Sequence, residues 1–394
     1  MIETSNFKTK TIMLKRKNEM VDDAWGVALD IGYSSVKGFS PNSIYCFPSY
    51  ARKITNDSVA FGAPNYNDIQ YRDSATGEVW AVGATAQDMI TSDDSNDSIA
   101  GLYGRNRYFS PMFKVIARVG LALGMTANDF GSPEGKNLVL QTGLPPAYLK
   151  SDTDLLKEAL SGMHDFEVKI GNKPWVSYSF NLPEENIGVM AQPMGTLLSI
   201  ATDNRGKLIH EGKKYFSSGV LIFDPGFGTL DVFNIRNRYI ESYETFDNLG
   251  MKRVLKETTD GIFKKYETEI TIPAMQKYLE DGFVKVTTRE KGSNRRKVTK
   301  EPFADILEES SKKICLEALD IIDTIYNNLV DHDYLVITGG TGAAWKDIIM
   351  DRFADIETLT IIEGNQNDNL PYIFSNVRGY YMYQYSKLKQ INRK

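Results

Sequence analysis

Two short stretches carry residue types that could grip a phosphorylated ligand: Leu29-Asp30-Ile31-Gly32-Tyr33-Ser34-Ser35-Val36-Lys37 and Phe223-Asp224-Pro225-Gly226-Phe227-Gly228-Thr229-Leu230-Asp231. Each follows an apolar, strand-like run, opens on Asp, and has Gly two residues later. Each has a charged residue seven positions after the Asp, Lys37 in one and Asp231 in the other. Apolar residues then resume, as a returning strand requires. The pattern predicts two hairpins whose tips present backbone N–H groups and a carboxylate. Small residues at a tip let the backbone approach a phosphate closely. A carboxylate there can hold the hydration shell of Mg²⁺, which keeps several of its waters. The expectation is a nucleotide clasped between two similar halves.

Within the first tip, Ser34 and its neighbours Tyr33 and Ser35 offer hydrogen bonds to phosphate, and Lys37 offers a point charge. In the second, Gly226, Phe227, Gly228 and Thr229 occupy the matching place. A third stretch, "NIGVMAQPMGTLLSI", reads as a strand running into a helix, with Pro193 in the first helical turn, where it is favoured. This puts Gln192 at a strand's C-terminal end, placed to orient an attacking water as a neutral amide can. A fourth, Gly339-Gly340-Thr341-Gly342, follows the apolar run Tyr334 to Thr338 and reads as a turn bare enough to admit a nucleoside. Neither G-x-x-x-x-G-K-[ST] nor G-x-G-x-x-G after a strand occurs, which excludes the P-loop and dinucleotide-fold readings.

The elements that must position these residues follow from periodicity. Pro111 to Gly124 and Phe303 to Leu329 are amphipathic helices. Lys136 to Leu144 is a buried strand ended by Gly143 and two prolines, and Ser151 to Gly162 is a helix with Ser151 as N-cap. "SATGEVWAVGATA" predicts a hairpin turning at Ala75-Thr76-Gly77, and Phe166 to Phe180 one turning at Gly171-Asn172. Helices are expected from Gly250 to Phe263, Pro273 to Leu279 and Phe374 to Leu388, with a strand from Thr358 to Ile362. Thr91 to Asp97 is acidic and Ser-rich, a loop. The basic run "REKGSNRRKVTK" reads as a solvated hairpin tip around Gly292-Ser293-Asn294, with a protein–protein contact as the alternative. Residues 1–23 are polar and lean basic, which suits a disordered or loosely packed extension or, as the alternative, a partner-binding or filament-contacting arm.

With 394 residues, the chain is too long for one ordinary core. The net charge of -5 gives no basic field for nucleic acid or an anionic membrane. Cys46 and Cys315 are the only cysteines, which suggests reduced thiols and a cytoplasmic location. No apolar run approaches the roughly 20 residues of a membrane span. His164, His210 and His332 are scattered and form no ligand pair.

These four stretches together resemble the actin superfamily of ATPases. "LDIGYSSVKGF" is similar to its first phosphate loop, "IFDPGFGTLDVF" to its second, "VITGGTGAAW" to its adenosine loop, and "VMAQPMG" to the segment holding the water-orienting residue. "LVLQTGLPPAYL" resembles the T-G-L-P segment of ParM-type plasmid-segregation actins. The resemblance implies an α/β actin-like fold: two related ribonuclease H-like domains, each with an inserted subdomain, and nucleotide in the cleft between them. Domain I would span 24–215, with an insertion at about 40–130, and be completed by the C-terminal helix in 366–394. Domain II would span 216–365, with an insertion at about 264–302. Asp30 and Asp224 would hold hydrated Mg²⁺, Lys37 the β/γ-phosphates, and Gly226 and Gly228 the γ-phosphate. Gly339 to Gly342 would lie against the adenosine, and Gln192 with Asp224 would serve hydrolysis.

The implied activity is that of an ATPase, with GTP as the other candidate nucleotide, whose homopolymer filament segregates DNA through a DNA-binding adaptor. No direct contact with nucleic acid or membrane is implied. The rival readings are a small-molecule kinase of the same superfold and a cell-shape or division homologue. ParM-type chains commonly carry Glu where this one has Gln192, and Pro225 stands where many relatives have a small or aliphatic residue.

Overall fold

The computed structural model describes residues 2–54, 65–90, 105–289 and 296–391. In chain order the first half contributes β1 (Ile12–Lys15), β2 (Ala24–Ile31), β3 (Ser35–Phe39), β4 (Ser43–Pro48), β5 (Ala51–Ile54), β6 (Ile69–Asp73) and β7 (Val79–Val82). It continues with β8 (Asn137–Leu144), β9 (Gly162–Ile170), β10 (Val176–Leu182) and β11 (Ile187–Ala191). The second half contributes β12 (Val220–Pro225), β13 (Thr229–Arg236), β14 (Tyr239–Asp247), β15 (Phe283–Arg289), β16 (Arg296–Pro302), β17 (Tyr334–Ile337) and β18 (Thr360–Glu363).

The two principal sheets share one connectivity. Their orders are β1-β4-β3-β2-β8-β11 and β14-β13-β12-β17-β18. In each, three successive strands form an antiparallel meander, and the first of them pairs in parallel with a later strand, which pairs in parallel with the next. The two halves expected from the D-x-G hairpins therefore match over five strands each, β1 being an additional edge strand of the first sheet. β2 and β12 are buried along their whole length, as central strands covered on both faces are. A separate sheet, β10-β9-β6-β7-β5, carries the expected hairpins at Ala75-Thr76-Gly77 and Gly171-Asn172.

Helices cover the sheets. Pro111–Met125 starts on a Ser110 cap, whose side chain accepts from the Phe113 N–H, and buries its apolar face on β2 and β3. Gln192–Ala201 and Ser375–Ile391 pack together, the second also against β2. They cross at bare backbone: a Cβ on Gly379 would lie 1.7 Å from the Gly195 carbonyl oxygen. The C-terminal helix thus packs on the first half, as expected.

Four sequence readings need correction. Residues 1–23 are not loosely packed: Thr4–Phe7 forms a 3₁₀ turn, and β1 extends the first sheet at β4. Lys and Arg clustering hid the short apolar run Ile12-Met13-Leu14. The helix assigned to Ser151 begins at Pro146, because Pro145-Pro146 supplies the fixed φ of a first turn as well as ending a strand. Ser151 lies inside it, donating to the Tyr148 carbonyl. The second hairpin has a third strand, β14, whose exposed, mixed sequence lacks a clear alternation. Gly339-Gly340-Thr341-Gly342 is the first turn of the helix Gly339–Arg352, not a free turn. The flanks of the basic run pair as β15 and β16, while its tip and the Thr91–Asp97 stretch lie outside the described residues.

Candidate functional site

Both hairpin tips close in the same way. Gly32 N donates to the Ser35 carbonyl at 3.0 Å, and Gly226 N donates to the Thr229 carbonyl at 2.8 Å. Across the first hairpin Asp30 faces Lys37; across the second Asp224 faces Asp231. The tips also meet each other: a Cβ on Gly228 would lie 3.0 Å from Cδ2 of Tyr33. Between the halves lies a cavity of about 480 Å³. Its lining includes Asp30, Gly32, Tyr33, Ser34, Ser35 and Lys37 from the first tip, and Asp224, Gly226, Phe227, Gly228 and Thr229 from the second. Gln192 and Gly339, Gly340 and Thr341 complete the predicted set. Gly342 is the exception, packed beneath the wall against Ile337 and Pro225.

The predicted residues are wired together. Asp30 accepts from Lys37 Nζ at 3.0 Å and from Gln192 Nε2 at 3.2 Å. Gln192 is the first residue of its helix rather than the last of β11, so the start of that helix points its amide at the first tip. Burial disfavours the Lys37 charge, but Asp30 beside it outweighs this and leaves its pKa raised. Gly339 has φ +76°, and a Cβ there would lie 2.6 Å from Asp224 Oδ1, so only glycine permits this approach. Thr341 Oγ1 donates to the Gly226 carbonyl, fastening the helix Gly339–Arg352 to the second tip with its positive N-terminal end on the cavity.

The acids of the cleft repel one another. Burial, and then the nearby charge of Asp30, push the Asp224 carboxyl up to about 6 although Asn376 donates to it at 2.8 Å. Burial pushes Asp231 up to about 7, with Asp224 adding to it, against hydrogen bonds from Thr245 and Thr229. Two neighbouring carboxylates in a dry cleft are a hard-oxygen donor set that favours a cation. Among the described residues no group of three His, Cys, Asp or Glu could ligate a metal directly. The donors fit Mg²⁺ held through its waters by Asp30 and Asp224.

Several lining residues had no signal in the sequence. Arg107 donates from Nη2 to the Ile31 carbonyl at 2.5 Å and lies over the Tyr33 ring at 4.4 Å, bracing the first tip. Burial lowers its pKa. No spacing ties it to Asp30; folding of the insertion brings it there. Asn376 arrives from the C-terminal helix, and Asn6 to Lys10 arrive from the N-terminal segment. Asp231 was marked by its spacing, but its role as a buried acid in the cavity was not. Thr196 Oγ1 donates to Asn376 Oδ1 and shares a second hydrogen bond with the Thr338 hydroxyl, so a buried polar chain joins the Gln192 helix, the C-terminal helix and the second half.

Residues 28–195 match the family model described as the actin-like proteins N-terminal domain. No curated protein matches the chain. Among solved structures, the chain is similar to a non-polymerisable quadruple mutant of pCBH ParM, with 19% identity, TM-score 0.67, and coverage of 92% of this chain and 99% of that one. It is similar to a ParM of a 15-stranded filament from Clostridium botulinum, with 18% identity, TM-score 0.65, and coverage of 94% and 100%. It also resembles MreB 5 of Spiroplasma citri bound to AMPPNP, with 14% identity, TM-score 0.58, and coverage of 95% and 99%. At these identities the likeness is one of fold, and the fold is actin-like.

Proposed function

We propose that this chain, an actin-superfamily protein whose fold matches the ParM type, binds Mg·ATP between its halves and polymerises in the ATP state. The observation that carries this reading is the facing pair of D-x-G tips, with Asp30 and Asp224 on one cavity and Gln192 hydrogen-bonded to Asp30. N–H groups of the tips and the helix end at Gly339 would cradle the phosphates. Lys37 would neutralise the β/γ-phosphates, and Arg107 adds a second cation on the same wall. Gly339 to Thr341 would face the nucleoside. Gln192 would orient the attacking water; as a neutral amide it positions rather than deprotonates.

Asp30 and Asp224 would hold Mg²⁺ through its waters, and the ion would supply screening of the phosphate charge. Loss of the γ-phosphate would remove contacts shared by both tips and so loosen the closed arrangement that favours polymer. The neighbours named for filaments support self-association of this chain. A plasmid-segregating role would require a DNA-binding adaptor, since net charge is -5. Among the described residues no helix is long and apolar enough to cross a membrane.

Light scattering tests this reading. Micromolar protein should scatter on addition of Mg·ATP and decay as phosphate is released, whereas ADP should give little polymer. No scattering with any Mg-nucleotide would count decisively against it. The small-molecule kinase is the second reading, because Asp231 is a cavity acid pushed up to about 7, suited to accept a hydroxyl proton. Both its oxygens are already engaged by Thr245 and Thr229. ATP turnover that appeared only with an added sugar or acid would reverse the order.

A further inference from the structure

The N-terminal segment runs from one half of the molecule to the other along the cavity. In the second half, Thr4 Oγ1 donates to the Leu279 carbonyl at 2.7 Å, Lys8 pairs with Glu280, and Thr9 N donates to Gln276 Oε1, all on the helix Ile272–Asp281. Ile2 and Phe7 pack on that half's core. In the first half, β1 adds to β4 with Ile12 opposite Cys46, and Arg16 grips Asp368 through two hydrogen bonds of 2.8 and 2.7 Å. Asn18 donates to the Ser40 carbonyl. Between these anchors, Asn6, Phe7, Lys8, Thr9, Lys10 and Ile12 line the same cavity as the two tips.

We propose that residues 4–12 are a strap that encloses a bound nucleotide, and that nucleotide exchange requires the strap to leave the helix Ile272–Asp281. The inference rests on the nucleotide reading above. Chain length gives the mechanical reason. Only Lys10 and Thr11 separate the contact at Thr9 from the ladder at Ile12. Three Cα steps span at most roughly 11 Å, so the halves cannot part far while both anchors hold.

The anchors are unequal, which sets where the strap gives way. The first-half side has a four-residue ladder and a bidentate Arg–carboxylate pair, itself continued from Asp368 to the buried Arg378. The second-half side has a single 3₁₀ turn, a few hydrogen bonds, partly buried Ile2 and Phe7, and a Lys8–Glu280 pair whose Glu280 is well exposed. Exposed pairs contribute little. The strap therefore pivots at β1 and releases from the helix. Lys10 lines the cavity and has no carboxylate partner among the described residues, so it is free to face a polyphosphate.

The test is stopped-flow exchange of a fluorescent ATP analogue with Mg²⁺ in the full chain. Two variants are compared with wild type: deletion of residues 2–9, which spares Lys10 and the β1 ladder, and the pair Ile2→Ala/Thr4→Val, which weakens only the anchor on the second half and does not line the cavity. Melting curves establish that each is folded, and if the deletion fails to fold the point pair decides. The expected result is that association and dissociation both accelerate, at least tenfold for the deletion and severalfold for the pair, with Kd changing much less. Folded variants exchanging within twofold of wild type would overturn the strap alone. Faster dissociation with unchanged association would make the segment a contact wall and overturn the gate. A wild type that takes up no nucleotide would remove the nucleotide reading and this inference with it.

Discussion

Gln192 and Asp231 show how one cavity sets two neighbouring polar groups to different tasks. Gln192 is held by Asp30 at 3.2 Å and, as a neutral amide, cannot carry a proton away, so the role proposed for it is to orient water. Gln192→Ala should lower ATP turnover by about 100-fold, near the low end for a positioned group, and leave nucleotide affinity within a few fold. Phosphate-release and binding titrations read the two separately, and equal losses in both would refute an orienting role. Asp231 is pushed up from 3.8 to about 7, so the native protein holds its proton more tightly than the unfolded chain. That contribution to stability is complete below about pH 4 and is lost as pH rises through 7. Asp231→Asn, which can keep both threonine hydrogen bonds, should therefore stabilise the nucleotide-free protein by about 2 kcal/mol at pH 7.5. Its advantage should shrink by more than half at pH 5. Denaturation midpoints at the two pH values check the sign.

At the scale of elements, the crossing of the Gln192–Ala201 and Ser375–Ile391 helices is the tightest joint near the site. With the Gly195 carbonyl 1.7 Å from where a Cβ would sit, Gly379→Ala must push the two backbones apart. The cost should be about 3 kcal/mol, at the upper end for overpacking. Urea unfolding measures it, and a loss below about 0.5 kcal/mol would mean that the joint yields easily. The same displacement would carry Gln192 and Asn376 away from Asp30 and Asp224, so ATP turnover should fall more than ADP affinity. Elements with plain periodicity were legible in sequence: Pro111–Met125, Ala304–Ile325 and both D-x-G hairpins lie where expected. Those that escaped are edge or mixed elements. β1 and β14 are exposed at sheet margins, where pairing with a neighbour rather than alternation of their own residues decides the strand.

At the scale of the whole molecule, the proposed nucleotide would add a tie between halves already joined by the strap, by a shared apolar core around Leu197, Ile222 and Phe233, and by the Thr196–Asn376–Thr338 chain. Binding of Mg·AMPPNP should therefore compact the protein. Small-angle X-ray scattering of dilute monomer should show a smaller radius of gyration with this nucleotide than without it. An unchanged radius would separate filament assembly from closure of the cleft.

The sequence by itself determined the two D-x-G tips, their likeness, the Gln192 junction and the glycine-rich stretch at Gly339, though not that this stretch opens a helix. Each of these is local: a few residues of fixed type at fixed spacing specify a turn or a helix end. Only the tertiary structure decided that both tips share one cavity, that Gly342 lies beneath it, and that Arg107, Asn376 and the strap residues line it. These arrive from distant parts of the chain. Their placement depends on how sheets and helices pack, and long-range packing leaves no spacing for the sequence to display.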